Sequence, residues 1–332
     1  MTELTGMTEF TNDSPFREDP APGLVRQQSW PVDGPAELEL TVDVGRLRVH
    51  LDQQIGDGDA DGAEAHEVRV EVRHDPSAGG GWSQGLTGII SWLGNATGGM
   101  GVADSADDLA AAAVSAAEIS WSDSGRRLVV RSSQELPLRV VPLAITVSAP
   151  AGSRLAARTG AGDVRVTGRA GWAGVRTGTG AVSLAAVDGD ADVTTGAGDV
   201  EIGPVSGRAR LRTGSGSVSV AATGGSTEIK TGSGDISLGE VAADLGVRTG
   251  SGDVAIADAR SGHVQMTTGS GGLRVGVHPG VRAELDLSSG SGRARSELEV
   301  RSVAPELPAA VQLRGRTNSG DVLVTRAAVP VV

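Results

Sequence analysis

The sequence has 332 residues, of which 50 are Gly and none is Cys or Tyr. Without Cys, a disulfide framework, a thiolate metal site and a cysteine nucleophile are all excluded. Gly reaches about twice its usual share of ~7%, yet no G-X-Y triplet runs through the chain, which excludes collagen, and the net charge of −12 argues against nucleic acid or an anionic membrane as a partner.

Residues 1–30 are predicted to form a solvated N-terminal tail. The stretch 1–26 is acidic and lacks both a basic segment and an apolar run, so it does not have the pattern of a secretory signal. No part of the sequence approaches the ~18 consecutive apolar residues of a membrane-spanning helix. We therefore expect a cytoplasmic protein that is not inserted directly into a membrane.

The irregular beginning of a strand array is predicted over 31–152. Apolar and polar residues alternate in three segments, 37–44, 47–51 and 68–72. A hairpin is predicted over 119–130, with its turn at Gly125. A further strand over 143–147 leads into the regular part of the chain.

A helical insert interrupts this segment over about 81–117. Its first helical pattern places five apolar side chains on one face: Trp82, Leu86, Ile89, Ile90 and Leu93. In its second pattern, Ser105 and Asp108 form a capping box. Because no Lys or Arg occurs between Arg73 and Arg126, attraction to anionic lipid is missing. The insert is expected to cap one end of the strand array, and docking of a partner is the alternative.

One phrase, T-G-[AST]-G-x-[VIL]-x-[VIL], recurs through 153–326 and defines a unit of 18 residues. It starts at Thr159, Thr177, Thr195, Thr213, Thr231, Thr249 and Thr268, and in degraded form at Ser289 and Thr317. The sixth, eighth and seventeenth places are apolar and the fifteenth is small or apolar, which indicates two short strands with one buried face each. The predicted fold is an all-β, single-chain parallel β-solenoid with two short strands per coil, a small α-helical insert near its N-terminal end and a C-terminal tail at 327–332.

Glycines occupy the second, fourth and thirteenth places of the unit, at the corners between strands. We expect them there because the chain reverses through positive φ, where a Cβ would clash. The hydroxyls at the first and third places also lie at a corner. They are therefore expected to hydrogen-bond backbone groups rather than to form an ice-binding face.

Two columns of charge follow the repeat. The eighteenth place is basic in Arg176, Arg212, Lys230 and Arg248. The fifth place is acidic in Asp163, Asp199, Asp235 and Asp253. Because the two columns flank one corner, we expect them to offset each other as a solvated edge. A ligand groove along them is the alternative.

No catalytic, cofactor-binding or metal-ligating residue is predicted, and no cofactor is expected. The segment Gly81–Gly85 matches a nucleophile elbow, but no strand runs into it. The loop with Asp57, Asp59 and Asp61 resembles the first half of an EF-hand loop, but Val68 stands where a Glu ligand is required, so calcium binding there stays open. The five histidines lack metal-ligand spacing.

Two segments carry a family resemblance. Residues 145–153 read I-T-V-S-A-P-A-G-S and are followed from Arg158 by R-T-G-A-G-D-V, and residues 316–324 read R-T-N-S-G-D-V-L-V. In order and spacing they resemble the signature T-V-P-A-G … R-T-G-S-G-D-V-x-V of the DUF4097 family of bacterial β-strand repeat proteins, also called toastrack or adhesin-type domains. The likeness covers about Pro35 to Arg326.

The resemblance implies a single-chain β-solenoid, no catalytic residue and an association with bacterial envelope-stress systems as an assembly platform. We therefore expect a non-enzymatic scaffold or binding module with a protein partner, and self-association stays open. The alternative is a cell-surface adhesin or a carbohydrate-binding solenoid, which would require export.

Overall fold

The computed structural model describes residues 24–52, 66–77, 106–299 and 308–328. Within these residues, 24 strands wind around one core as a largely parallel β-solenoid, with a single short α-helix near the N-terminal end. The predicted fold class is confirmed.

The N-terminal elements are irregular in length. They are β1 Val25–Val32, β2 Glu37–Asp52, β3 His66–His74, helix α1 Ala106–Ser115, β4 Glu118–Ser122, β5 Arg127–Arg131, a short 3-10 helix over Leu138–Val140, and β6 Leu143–Pro150. The hairpin and the alternating strands expected from the sequence are present.

The regular coils follow, with two strands each. They are β7 Arg154–Ala161, β8 Val164–Ala170, β9 Trp172–Thr179, β10 Val182–Val187, β11 Ala191–Ala197, β12 Val200–Val205, β13 Ala209–Ser215, β14 Val218–Thr223, β15 Thr227–Ser233, β16 Ile236–Val241, β17 Leu245–Ser251, β18 Val254–Ala259, β19 Gly262–Ser270 and β20 Leu273–Val277. The C-terminal strands are β21 Ala283–Ser289, β22 Ala294–Ser296, β23 Val311–Ser319 and β24 Val322–Arg326.

The strands form two facing sheets. Sheet 1 contains β4, β5, the first half of β2 and the odd-numbered strands from β7 onward, and sheet 2 contains β1, β3, β6, the second half of β2 and the even-numbered strands from β8 onward. Each repeat strand pairs in parallel with its counterpart one coil away, as Val182 does with Val200. Within the described chain, the antiparallel pairs β1–β3, β3–β6 and β4–β5 all lie at the N-terminal end.

The core lies between the two sheets and is built from the predicted columns. Residues of the sixth, eighth, fifteenth and seventeenth places are buried, for example Val182, Leu184, Ala191 and Val193, all at 2% exposure or less. The eleventh place is also buried, in Val187, Val205, Thr223, Val241 and Ala259. Sequence reasoning missed this third inward position of sheet 2, because it follows an outward pair and breaks strict alternation.

The coils are not stacked in chain order at either end. Strand β2 bends at Gly45 and forms a whole coil, which lies between coil β5–β6 and coil β7–β8. At the other end, β23 lies between β19 and β21, and β24 lies between β20 and β22. The closing segment 316–324 is therefore second from the end in space, although it is the last coil in the sequence.

Helix α1 caps the N-terminal end of the solenoid. It packs against β1, β3 and the 3-10 helix and buries Leu109, Ala110, Ala113 and Val114 in the core. Beyond the helix, Arg26 Nη1 donates a hydrogen bond of 2.7 Å to the carbonyl of Ala117. The first helical pattern of the insert, 82–93, lies outside the described residues.

A pair of tryptophans lies beside this cap. Trp30 of β1 and Trp121 of β4 stack with ring centroids 5.7 Å apart, so they join the edge strands of the two sheets. Strand β1 begins at Val25, so residues 25–30, which were expected to belong to an N-terminal tail, are part of this strand. The segment V-R-Q-Q-S-W-P-V has little apolar alternation and gains its strand conformation by pairing with the edge of β3.

Glu39 of β2 binds two arginines of the neighbouring strand β5, and its contribution to stability is expected to depend on pH. Its carboxylate accepts hydrogen bonds from Arg131, at 2.8 Å, and from Arg127, and these bonds lower the pKa of Glu39. Because the pKa is lower in the folded state than in the unfolded state, the stabilisation is present above the unfolded value and is lost as the pH falls through the folded value. Glu39→Gln should lower the free energy of unfolding by about 1 kcal/mol at pH 7.

The same substitution should have a smaller effect at pH 3 than at pH 7, because pH 3 lies below the pKa of the unfolded state. The measurement is urea denaturation of both proteins at the two pH values. Glu37→Gln serves as the control. It removes the same charge from the same strand, but the ion pair of Glu37 with Arg154 is long, at 4.0 Å. An equal difference at both pH values would contradict the prediction.

Candidate functional site

The T-G-[AST]-G corner carries the chain from sheet 1 to sheet 2 and is held by its own threonines. The first-place Thr is buried, and at six of the corners its Oγ1 donates to the carbonyl of the third-place residue. This bond is 3.1 Å long in Thr177, 3.0 Å in Thr213 and 3.1 Å in Thr231. The prediction that these hydroxyls satisfy backbone groups is confirmed at these corners. At Thr159 and Thr195 the buried Oγ1 has no hydrogen-bond partner among the described residues.

The corner glycines serve two different purposes. The fourth-place Gly216 has a φ of 130°, as expected. The second-place Gly214 does not have positive φ; a Cβ there would lie 2.5 Å from the carbonyl oxygen of Gly196, one coil away. Gly189, at the thirteenth place, has the same kind of close approach, 2.2 Å from the oxygen of Gly171. The expectation of positive φ at the second and thirteenth places is therefore wrong, and the cause is the tight stacking of backbones.

The acidic column holds the coils together. Asp235 Oδ1 accepts a hydrogen bond of 2.9 Å from the backbone N–H of Asp253, which occupies the same place one coil further on. Asp163, Asp199 and Asp253 make the equivalent bonds at 2.9, 2.8 and 2.7 Å. The fifth-place carboxylates therefore act between coils, a role that the sequence pattern did not reveal.

Removing one of these bonds should have a modest effect on stability. Asp235→Ala is expected to lower the free energy of unfolding by about 1 kcal/mol, because the N–H of Asp253 loses its acceptor. Asp235→Asn keeps an oxygen at that position, so it should lower the free energy of unfolding by less than half as much as Asp235→Ala does. Urea denaturation of the three proteins measures both values, and equal losses in the two variants would show that charge rather than hydrogen bonding matters here.

The basic column continues beyond the four residues noted in the sequence, and we call it the basic ladder. Its members occupy equivalent positions on sheet 1: Arg158, Arg176, Arg212, Lys230, Arg248 and Arg316. Threonines take the intervening positions at Thr194 and Thr267, and Thr41 lies next to Arg158 at the N-terminal end of the row.

Among the residues that the structure describes, four members of the ladder form no ion pair. Lys230 pairs with Glu228, and Arg316 lies 3.8 Å from Asp286. The remaining Arg158, Arg176, Arg212 and Arg248 are exposed, and in the described part of the chain none of them forms an ion pair within 4.0 Å. The expected pairing between the basic and acidic columns is therefore not formed, because the carboxylates turn toward backbone N–H groups.

A shallow groove runs beside the ladder at its N-terminal end. It has a volume of about 390 Å³ and is lined by Thr41, Val42, Asp43, Arg158, Thr159, Gly160, Arg176, Thr177, Gly178 and Thr194. Its one carboxylate, on Asp43, is already engaged by Arg139 at 3.0 Å and by Gln134 at 3.2 Å. The guanidinium groups of Arg158 and Arg176 therefore remain available to a ligand.

A second basic cluster lies on sheet 2 at the C-terminal end. Arg274, Arg293 and Arg295 line a depression of about 230 Å³, together with Asp253 and Asp321. The Oδ1 atom of Asp321 accepts a bond of 2.9 Å from the backbone N–H of Arg293. This cluster is smaller than the ladder and contains two carboxylates.

The other residues weighed in the sequence are not brought together. His50 contacts Thr167 at 2.9 Å, His263 contacts Asp244 at 3.2 Å, and His278 contacts Asp258 at 3.0 Å. The described residues contain no group of three or more His, Asp or Glu side chains placed to hold a metal ion. The Asp57, Asp59 and Asp61 loop and the Gly81–Gly85 segment lie outside the described residues.

No helix of the described chain has the length and apolarity needed to cross a bilayer. A comparison with protein families finds one model, Toastrack DUF4097, that matches residues 143–325, which is more than half of the chain. Among curated proteins, no match to the sequence is found.

A comparison with solved structures matches this chain to bacterial proteins described as "putative adhesin". One from Bacteroides fragilis is 12% identical, with a TM-score of 0.37, and the match covers 90% of this chain and 96% of that one. One from Parabacteroides distasonis is 12% identical, with a TM-score of 0.31 and the same coverage. One from Parabacteroides merdae is 9% identical, with a TM-score of 0.31, and the match covers 90% and 97% of the two chains.

Proposed function

The chain belongs to the toastrack DUF4097 family, and from that premise we propose that it is a non-enzymatic β-solenoid scaffold that binds a protein partner. It acts in the cytoplasm as an assembly platform linked to the bacterial envelope-stress response. No enzymatic step is part of this proposal.

The observation that carries the proposal is the set of four exposed arginines without acidic partners on the basic ladder. Most of the other repeated polar groups of the corner are used inside the fold: first-place hydroxyls such as those of Thr213 and Thr231 bond the corner backbone, and the fifth-place carboxylates bond the next coil. The arginines remain as a row along adjacent strands of one sheet, which a partner can contact without breaking an ion pair of the described chain. Such a row suits binding better than catalysis, which requires groups that converge on one point.

The experiment is co-purification from the native host. The full chain, tagged and expressed at its natural level, is cross-linked in cells, recovered from cytosol, membrane and medium, and analysed by mass spectrometry. We expect the chain in the cytosolic fraction, with one or a few proteins recovered in near-stoichiometric amounts. Recovery at the cell surface with retention on glycans and no protein partner would overturn the proposal in favour of an adhesin.

A further inference from the structure

We propose that the basic ladder binds an acidic peptide segment of the partner, with carboxylate side chains placed along Arg158, Arg176, Arg212 and Arg248. This inference rests on the proposed function, since it assigns the surface and the chemistry by which a protein partner is held.

The spacing of the ladder supports an elongated ligand. Arg158 and Arg176 are register neighbours on adjacent parallel strands, so their backbones are about 4.8 Å apart. Thr194 separates Arg176 from Arg212, so the next cation lies about two strand spacings further along the solenoid axis. Because arginine side chains are long, they can adjust to a ligand whose carboxylates are not spaced as the arginines are. A segment with acidic residues at irregular short intervals can therefore contact several of them.

The chemistry of the row favours carboxylates. A guanidinium group binds a carboxylate through two parallel hydrogen bonds, which gives direction as well as attraction. Because none of these four arginines forms an ion pair within 4.0 Å in the described chain, a ligand carboxylate can bind them without breaking such a pair. The floor of the groove is made by second-place glycines such as Gly160 and Gly178, so a peptide backbone can approach it closely.

The surroundings of the ladder argue against a uniform polyanion. Across the corner lies the acidic column, whose carboxylates are exposed: Asp163, Asp199, Asp235 and Asp253. Two further carboxylates lie on the strands of the ladder itself, since Asp192 precedes Thr194 by two residues and Glu228 precedes Lys230 by two residues. Nucleic acid and similar polymers carry negative charge along every edge and would be repelled by these carboxylates.

A peptide can satisfy both sides of the corner. It can present carboxylates along one edge and neutral or basic groups along the other, as the two columns require. Single-stranded nucleic acid also prefers aromatic stacking platforms, and no aromatic residue occupies a ladder position in the described sheet. The observations therefore favour an acidic peptide over a nucleic acid.

The test uses the full chain and a defined probe. A fluorescent peptide of alternating Glu and Ser residues is titrated against the protein at low and at physiological salt, beside a Gln/Ser peptide of equal length and a single-stranded oligonucleotide. Three proteins are compared: the parent, a ladder variant (Arg158→Gln, Arg176→Gln, Arg212→Gln) and a matched control variant (Arg274→Gln, Arg293→Gln, Arg295→Gln). Each variant removes three exposed positive charges, so the net charge is the same in both. Thermal melting verifies that both are folded.

We expect the Glu/Ser peptide to bind the parent, the ladder variant to bind it at least tenfold more weakly, and the control variant to change the affinity less than threefold. The Gln/Ser peptide should not bind. The inference is overturned if the parent does not bind the acidic peptide or if both variants lose affinity equally. It is also overturned if the oligonucleotide binds as tightly as the peptide, or if the ladder variant differs from the parent in self-association rather than in peptide binding.

The ladder variant is also used as bait in the co-purification experiment. Loss of the partner from this bait supports the inference. If the partner still co-purifies, the ladder is not its binding surface, whereas the scaffold function stands. If the parent itself recovers no partner, the proposed function fails independently of the ladder.

Discussion

Replacing Gly216 by Ala is expected to lower the free energy of unfolding by about 3 kcal/mol or more. Two independent effects combine at this corner. The backbone has a φ of 130°, which an L-residue adopts only with strain, and a Cβ would lie 2.3 Å from the carbonyl oxygen of Gly198. The obstacle is backbone in a stacked coil, so it cannot rotate away as a side chain would. Urea denaturation followed by circular dichroism measures the loss.

Two further glycines separate these effects. Gly214→Ala meets only the steric obstacle, because a Cβ there would be 2.5 Å from Gly196 oxygen while φ is not positive, so its loss should be smaller. At Gly246, no atom of the described residues lies within 4 Å of the position that a Cβ would take. Gly246→Ala should leave stability unchanged or raise it by about 0.5–1 kcal/mol. A loss at Gly246 as large as that at Gly216 would rule out the stacking explanation.

Truncation of Leu313 should be far more damaging than its position near the end of the sequence suggests. Leu313 of β23 is 2% exposed, and its register neighbours are Val264 of β19 on one side and Leu285 of β21 on the other. Leu313→Ala leaves a cavity inside the core and should lower the free energy of unfolding by about 2–5 kcal/mol.

Leu285→Ala is the matched control for this prediction. Leu285 precedes Leu313 in the sequence but lies in the outermost coil, where it is only half-buried. Its truncation should therefore cost clearly less than that of Leu313. If the solenoid were stacked in chain order, the ranking would be reversed, so a larger loss for Leu285→Ala would contradict the coil order described above.

Much of the fold can be predicted from the sequence, because each coil repeats the same pattern of apolar residues and glycines. The inward pairs, such as Val182 with Leu184, predict where each strand lies, which face of it is buried and which residues pair in register. The 18-residue spacing predicts that successive coils stack. The helix over Ala106–Ser115 was also predictable, because the capping-box pattern and the apolar residues that follow it in the sequence both indicate a helix there.

The features that the sequence did not reveal depend on contacts between distant segments. Gly214 and Gly216 look alike in the sequence, but Gly214 is required only by the neighbouring coil, whereas Gly216 is required by its own φ as well. Asp235 looks like a solvated charge until the N–H of Asp253 is placed beside it. The position of β23 between β19 and β21 leaves no local signal, because every coil carries nearly the same pattern.

The placement of the end coils limits where the repeat array can grow. Both edges of β23 and β24 are already paired, so an 18-residue unit added directly after Arg326 would find no free strand edge on the coil that precedes it. A unit duplicated between Thr177 and Thr249 would instead extend both sheets and lengthen the rod by about 4.8 Å. Longer and shorter versions of this solenoid can therefore arise by internal duplication or loss, with both ends kept unchanged.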